Sequence, residues 1–171
     1  MNTWIDSNRY IKLHLLFWLN SMDQYNLSRF IEAQERTYKG AMLELARGRK
    51  DSHWIWYIFP QINGLGNSET TKVYSIKSLE EGRAYLEHPV LGPRLFEACE
   101  ILFSLKDASM NKVMGFPDDL KLLSSMTLFE YILDESSIFT NIIEAYFDDE
   151  RDENTLEIIN GSWLKRVSWD A

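Results

Sequence analysis

Apolar residues recur at spacings of three and four along most of this sequence, and that period is typical of amphipathic α-helices. The clearest stripe runs from Leu27 to Ala46 and is followed by Gly48, a residue type that ends many helices. Similar stripes occupy residues 95–103, 120–132 and 138–147. No pair of alternating segments joined by an Asn-Gly turn is present. The sequence therefore predicts an all-α fold, a single compact multihelical domain with short irregular connections.

The residues between the stripes mark the helix boundaries. The segment Ser78–Glu81 (SLEE) has the pattern of a capping box, in which the two side chains bind free amides at the start of a helix. Pro117 suits a first helical turn. A short last helix is expected to begin at Asn154 and to stop at Gly161. The apolar run Ser52–Gln61 stays open, because it fits either a buried strand or a buried helical turn.

Length and apolar content predict one domain. The chain has 171 residues, and the 45% that are apolar are enough to form a core. The helical domain is placed at residues 22–160, after an N-terminal extension (1–21) that could form a short helix and before a C-terminal tail (161–171). The apolar stretch Tyr10–Leu19 is too short to span a membrane, so no membrane association is expected. The single cysteine, Cys99, cannot form an internal disulfide, which favours a cytoplasmic protein.

Negative charge is concentrated in one late segment. The formal net charge of the chain is −8, and residues 134–154, with eight acidic side chains and one arginine, account for −7 of it. Binding of a nucleic-acid polymer is not expected, because neutralising phosphates takes clustered cations. The segment also lacks the glycine and the alternating oxygen ligands of an EF-hand. We interpret it as a solvated acidic corner between helices, with docking of a basic partner as the alternative.

The segment Arg47–Gln61 (RGRKDSHWIWYIFPQ) combines cations, a histidine and several aromatic residues. Cations beside exposed rings can hold a phosphate and stack a base. Arg49 and Lys50 are therefore candidates for pairing with a phosphate or carboxylate, and Trp54 or Trp56 for stacking on a ring. The alternative is that the rings only fill the core.

His53 and Asp118 are the candidate general bases. His53 is considered because imidazole titrates near neutral pH. Asp118 opens the segment DDLKLLSSMT, in which Lys121 and Ser125 follow on the same face of a helix. A lysine beside a serine occurs in nucleophilic catalysis, but an ion pair and packed hydroxyl groups explain the same spacing. Three scattered histidines and one cysteine give no metal-ligand pattern.

Other polar residues lie at breaks or on apolar stripes. The glycine-containing loop QINGLGNS leads to Ser68 and could present amides to an anion, although a plain turn also needs glycine. His88 and Arg94 flank the break at Pro89. Gln34 lies on an apolar stripe, where its amide must either crosslink the core or face a pocket.

Four motifs in this order resemble a known family: FIEAQERTY, GRKDSHWIWYIFPQINGLG, YLEHPVLGPRL and FPDDLKLLSSMTLF. The family is catalogued as domain of unknown function 1810, and some of its members are labelled calpastatin-like. The resemblance covers residues 25–159 and implies a compact all-helical domain, usually cytoplasmic, with no established activity and no catalytic residues to transfer. Calpastatin-type inhibitors resemble long disordered chains, which does not fit a chain with its own core.

The polar and aromatic residue types in these motifs favour a ligand pocket. We expect a small anionic metabolite, a nucleotide or a nucleotide derivative, to bind without a cofactor, with hydrolysis as the reaction if one is catalysed. The alternative is a non-catalytic protein-interaction or regulatory domain. The hypothesis requires His53, Lys50, Arg94 and Lys121 to face one surface. The expected binding residues are Gln34, Tyr38, Arg49, Lys50, Trp54, Trp56, Gln61, Ser68, His88, Arg94, Lys121 and Ser125, and the expected catalytic residues are His53 and Asp118.

Overall fold

A computed structural model describes residues 24–106, 108–134 and 136–167 of the chain, with side chains described as far as residue 161. The predicted N-terminal extension, residues 1–21, lies outside the described residues. The described part contains nine helices and no β-strand, and one isolated bridge joins Ile62 to Ile76. The predicted all-α fold is confirmed. The helices are α1 (Ser28–Ala46), α2 (Ile55–Ile58), α3 (Glu69–Tyr74), α4 (Leu79–Glu87), α5 (Leu91–Ser104), α6 (Met110–Met114), α7 (Asp118–Leu133), α8 (Ile138–Tyr146) and α9 (Glu153–Val167).

Helix α7 lies at the centre of the fold. It contacts α2, α4, α6, α8 and α9, and its side chains Leu122, Met126 and Phe129 are fully buried. Helix α5 forms the second layer against α1, α4 and α8. Its residue Cys99 is fully buried beside Met126, as a core cysteine. Leu120, by contrast, is half exposed although it belongs to the apolar pattern of α7.

The open alternative for Ser52–Gln61 is resolved as a helical turn. Helix α2 has only four residues, and Ile55 and Ile58 within it are buried, as are Trp54 and Phe59 at its ends. It contacts α1, α3, α5 and α7. Trp56 and Tyr57 are partly buried, so all four residues of this short helix are apolar or aromatic and its sequence shows no helical period.

Two predicted boundaries were wrong or incomplete. Gly161 does not stop the last helix, since α9 continues to Val167; a glycine inside a helix weakens it by about 1 kcal/mol but does not break it. At the start of α4, Ser78 accepts a hydrogen bond from the backbone of Glu81 as predicted. The Glu81 carboxylate, however, accepts from the backbone of Lys77 and forms an ion pair with Arg29. The capping box is therefore only half formed.

The Arg29–Glu81 pair is a buried link that the sequence pattern does not predict. Arg29 also donates to the backbone oxygens of Val73 and Ser75, at 2.8 and 3.1 Å. Its guanidinium thus joins the start of α1 to the connection between α3 and α4. This link holds α3 against the face of α1 that bears the cleft described below.

Glycines in α1 and α5 give a matched test of helix packing. A Cβ atom at Gly92 would lie 2.0 Å from the backbone oxygen of Leu86, whereas one at Gly40 would meet nothing within 4 Å. We expect Gly92→Ala to lower the free energy of unfolding by about 2 kcal/mol or more, because two helix backbones must separate. Gly40→Ala should raise it by up to about 1 kcal/mol. Urea unfolding of both variants measures the difference, and equal effects would contradict this close approach.

Candidate functional site

Two lysines and one aspartate meet at the start of α7. The Nζ atom of Lys50 lies 2.5 Å from one carboxylate oxygen of Asp118, and the Nζ atom of Lys121 lies 2.7 Å from the other. The Lys50 side chain is only 7% exposed. Two ammonium groups therefore share one carboxylate, and this lysine–aspartate cluster (Lys50, Asp118, Lys121) has one excess positive charge.

Indole rings lie against both ammonium groups. Lys121 Nζ is 4.4 Å from the ring centroid of Trp56, and Lys50 Nζ is 5.3 Å from that of Trp54. Both distances suit cation–π attraction. Trp54 is fully buried and fills the core, which was the alternative interpretation of this ring. Trp56 is half-buried, so of the two rings it is the one that is partly accessible, although its Nε1 atom is buried.

Asp118 is held in its ionised form. Burial by itself raises the pKa of this carboxyl, but the hydrogen bonds and positive charges of Lys121 and Lys50 outweigh burial and leave the pKa below its ordinary value. A carboxylate with a lowered pKa is a weak base. Its geometry suits charge pairing better than proton abstraction.

Two buried polar atoms, one on the ring beneath Lys121 and one on a residue a helical turn after it, lack partners within the described part of the chain. They are Nε1 of Trp56 and Oγ of Ser125. The Trp56 ring lies under Lys121, and Ser125 follows Lys121 by one helical turn. An unsatisfied buried donor costs about 1–3 kcal/mol. The hydrogen-bonding capacity of both atoms is therefore unused among the described residues.

Glu44 fixes the segment that carries Lys50, and sequence reasoning missed it. Its carboxylate accepts hydrogen bonds from the backbone amides of Asp51 and Ser52 at 2.8 and 3.0 Å, from the Ser52 hydroxyl at 2.6 Å, and from Trp54 Nε1 at 2.7 Å. The backbone amide of Lys50 donates to the Val113 oxygen at 2.7 Å. The sequence signal that could have identified Glu44 is its position as an acidic residue beside the apolar stripe of α1.

Gln34 crosslinks the core. Its Nε2 atom donates to the Tyr57 backbone oxygen at 2.7 Å and to the Tyr85 hydroxyl at 3.1 Å. Its Oε1 atom accepts from Arg94 at 3.2 Å. The sequence allowed this amide either to crosslink the core or to face a pocket, and the contacts correspond to a crosslink. They tie α2 to α1, α4 and α5.

Arg94 and Tyr38 belong to the same network. The Arg94 guanidinium lies 4.7 Å from the centroid of the Tyr38 ring, and the Tyr38 hydroxyl donates to Glu97. Burial and the Glu97 carboxylate raise the pKa of Tyr38 above its ordinary value. Arg94 is therefore engaged by Gln34 and Tyr38, and no described contact joins it to the lysine–aspartate cluster.

Two candidates before α2 are on the surface. Arg49 is exposed and its guanidinium lies 2.9 Å from the Asp51 carboxylate. The His53 side chain is exposed, and no hydrogen bond or ion pair joins it to Asp118 among the described residues. The structure thus brings together Lys50, Asp118 and Lys121, but no described contact connects Arg49, Arg94 or His53 to them. Of the four residues required to face one surface, only Lys50 and Lys121 meet.

Three further candidates stabilise local structure. Ser68 caps α3 by accepting from the Thr71 amide at 3.1 Å. The buried His88 accepts from the Val90 and Leu91 amides at 3.1 and 3.3 Å, and burial lowers its pKa. The Gln61 backbone oxygen accepts from the Ile76 amide at 2.8 Å, while its side chain is half-buried.

A cleft of about 300 Å³ lies elsewhere, between α1, α2 and α3. It is lined by Glu32, Ala33, Arg36, Thr37, Tyr57 and Tyr74. None of these is among the expected binding or catalytic residues, and all of them except Tyr74 lie within the motifs that resemble the family. The cleft shares no residue with the lysine–aspartate cluster.

The described residues include no group of three or more histidine, cysteine or acidic side chains placed to hold a metal ion. Among the described helices, none is both long enough and apolar enough to cross a membrane.

The hydrogen bonds to Glu44 predict a pH-dependent stability. Burial opposes ionisation, but the bonds from Ser52, Asp51 and Trp54 lower the pKa of Glu44 from 4.5 to about 2. Because the pKa is lower in the folded state, the stabilisation is present above pH 4.5 and is lost as the pH falls toward 2.

Glu44→Gln keeps the shape of the side chain but removes its charge. We expect this variant to lower the free energy of unfolding by about 1–2 kcal/mol at pH 7. The difference from the unsubstituted protein should shrink between pH 4.5 and pH 2, as measured by urea unfolding at several pH values. Glu35→Gln, at an exposed position of the same helix, is the control. A difference that stays constant with pH would contradict the role of the Glu44 charge.

Comparison with known proteins places the chain in a family. The chain is similar to a protein of known structure, the conserved hypothetical protein Rv1873 from Mycobacterium tuberculosis. The two share 41% sequence identity and superpose with a TM-score of 0.78, and the match covers 80% of this chain and 98% of that one. No curated protein matches the sequence. The model of a family described as a protein of unknown function, DUF1810, matches residues 24–159. Since this match covers most of the chain, the protein belongs to the DUF1810 family.

Proposed function

We propose that the protein binds a small anionic metabolite with a planar ring, of the nucleotide class, at the lysine–aspartate cluster. The observation that carries the proposal is the excess of positive charge: Lys50 and Lys121 share the single carboxylate of Asp118. A phosphate or carboxylate at this position would balance that charge. Because the three side chains are largely buried, solvent screens the attraction less than at an open surface.

The rings near the cluster support a ligand that carries a base. Trp56 is half-buried beneath Lys121, and its buried Nε1 atom has no hydrogen-bond partner among the described residues. Phe116, two residues before Asp118, is 77% exposed. Aromatic side chains exposed beside cations are typical of sites that stack a nucleotide base.

Binding is better supported than hydrolysis. The lowered pKa of Asp118 makes it a weak base, and His53 is not connected to the cluster. Hydrolysis with either residue as general base stays a prediction. A cytoplasmic location, expected from the single cysteine, belongs to the same proposal.

Removing the outer ammonium group tests the anion site. AMP combines a ring with a phosphate, whereas adenosine and inorganic phosphate each provide one of them. We expect Lys121→Met to weaken AMP binding about threefold to tenfold, because it loses one charge-assisted contact that is partly exposed. Isothermal titration calorimetry measures the affinity, and thermal shift provides an independent readout.

Lys112→Met is the matched control, because Lys112 is an exposed lysine of the neighbouring helix α6 with no ion-pair partner among the described residues. It should bind AMP as the unsubstituted protein does. Equal weakening in both variants, or no binding of any of the three probes by the unsubstituted protein, would refute the proposed site.

Removing the carboxylate should have the opposite effect on binding. Asp118→Asn leaves two ammonium groups without a counter-charge, so we expect the free energy of unfolding to fall by about 3 kcal/mol. Inorganic phosphate and AMP should then raise the melting temperature more than they do in the unsubstituted protein. Asp119→Asn is the control, because Asp119 bonds to Asn111 rather than to either lysine. A smaller rise in Asp118→Asn would mean that the cluster has only a structural role.

Docking of a basic partner on residues 134–154 is the second candidate. Several of these acidic side chains have internal contacts: Arg151 pairs with Glu130 and Asp149, and Asp152 caps the start of α9 at Thr155. Such contacts support the interpretation of this segment as a corner between helices. The docking function stays a prediction.

A further inference from the structure

The cleft of about 300 Å³ between α1, α2 and α3 has the size of a small-molecule site. One wall is helix α1, with Glu32 and Arg36 at its rim. The other wall is aromatic and consists of Tyr57 from α2 and Tyr74 from α3. Its lining therefore combines both signs of charge with two rings.

The two charged residues at the rim have no ion-pair partner among the described residues. Glu32 and Arg36 are exposed and lie four residues apart on α1, a spacing at which opposite charges commonly form an ion pair. No ion pair or hydrogen bond joins either side chain to another residue within the described part of the chain. A carboxylate and a guanidinium are thus both available at one cleft, whose own net charge is zero.

The aromatic wall is held in place. The rings of Tyr57 and Tyr74 meet edge to face with their centroids 4.6 Å apart, and Tyr74 also packs against Phe30. The Tyr57 backbone oxygen is fixed by hydrogen bonds from Gln34 and Tyr85. Burial and the neighbouring Tyr74 raise the pKa of Tyr57, so its hydroxyl stays neutral. A wall of this kind loses little entropy when a flat ring binds to it.

We propose that this cleft binds a small zwitterion that carries an aromatic ring, such as an aromatic α-amino acid. The ammonium group would face Glu32, the carboxylate would face Arg36, and the ring would pack against Tyr57 and Tyr74. A simple anion would be repelled by Glu32, and a simple cation by Arg36. An uncharged aromatic molecule would leave both charges unmatched.

Three ligands with the same ring test the proposal on the full-length protein. Phenylalanine carries both charges, phenethylamine carries only the ammonium, and 3-phenylpropionate carries only the carboxylate. We expect phenylalanine to bind at least about threefold more tightly than either of the others, since each exposed charge pair makes a modest contribution. Chemical-shift changes during NMR titration measure the three affinities.

Variants at the rim should remove one preference each. Arg36→Met should abolish the preference for phenylalanine over phenethylamine and keep its preference over 3-phenylpropionate. Glu32→Gln should have the reverse effect. Lys39→Met and Glu35→Gln alter exposed charges of the same helix outside the cleft, and they should change neither preference. All four positions are exposed, so the variants are expected to fold normally.

The proposal is overturned if none of the three compounds binds at millimolar concentration. It is also overturned if phenethylamine or 3-phenylpropionate binds as tightly as phenylalanine, because the cleft would then recognise a cation or an anion. Loss of phenylalanine binding in Lys121→Met, with the rim variants unaffected, would move the ligand to the lysine–aspartate cluster. Since the two sites share no residue, failure at one leaves the other testable.

Discussion

The ion pair between Lys50 and Asp118 is the contact on which the arrangement around α2 depends. It joins the segment before α2 to the first turn of α7, two parts of the chain that are far apart in sequence. Glu44 fixes the same segment from the side of α1. Leaving one buried charge without its partner typically costs about 3–5 kcal/mol, which is a large part of the stability of a domain this size. The cluster therefore stabilises the packing of these two segments in addition to being a candidate site.

The helices could be predicted from the sequence because most of them bury one face, and a single buried face produces the spacing of three and four. Helix α2 could not be assigned, since its four residues are too few to show that period and its less buried positions also carry aromatic side chains. A glycine such as Gly161 is an ambiguous signal for a different reason: it weakens a helix but does not by itself end one. Local capping signals were only partly reliable, because Glu81 has a stronger partner in Arg29 than in the amide it was expected to bind.

Site residues were predictable where the interaction is local. Asp118 and Lys121 are three residues apart on one helix, so their ion pair follows from the spacing alone. The partnership with Lys50 depends on tertiary packing, and no pattern in the sequence specifies it. Several polar residues of the motifs, including Gln34 and His88, hold the fold together by satisfying buried groups. Polar residue types in a motif therefore indicate buried hydrogen bonds as readily as they indicate a ligand.

Helix α2 places consecutive residues in two different surroundings. Trp56 lies under Lys121, while Tyr57 forms a wall of the cleft beside α1. The buried residues Ile55 and Ile58 anchor this four-residue helix in the core, where four other helices contact it. A substitution that displaces α2 would therefore change the surroundings of both rings at once.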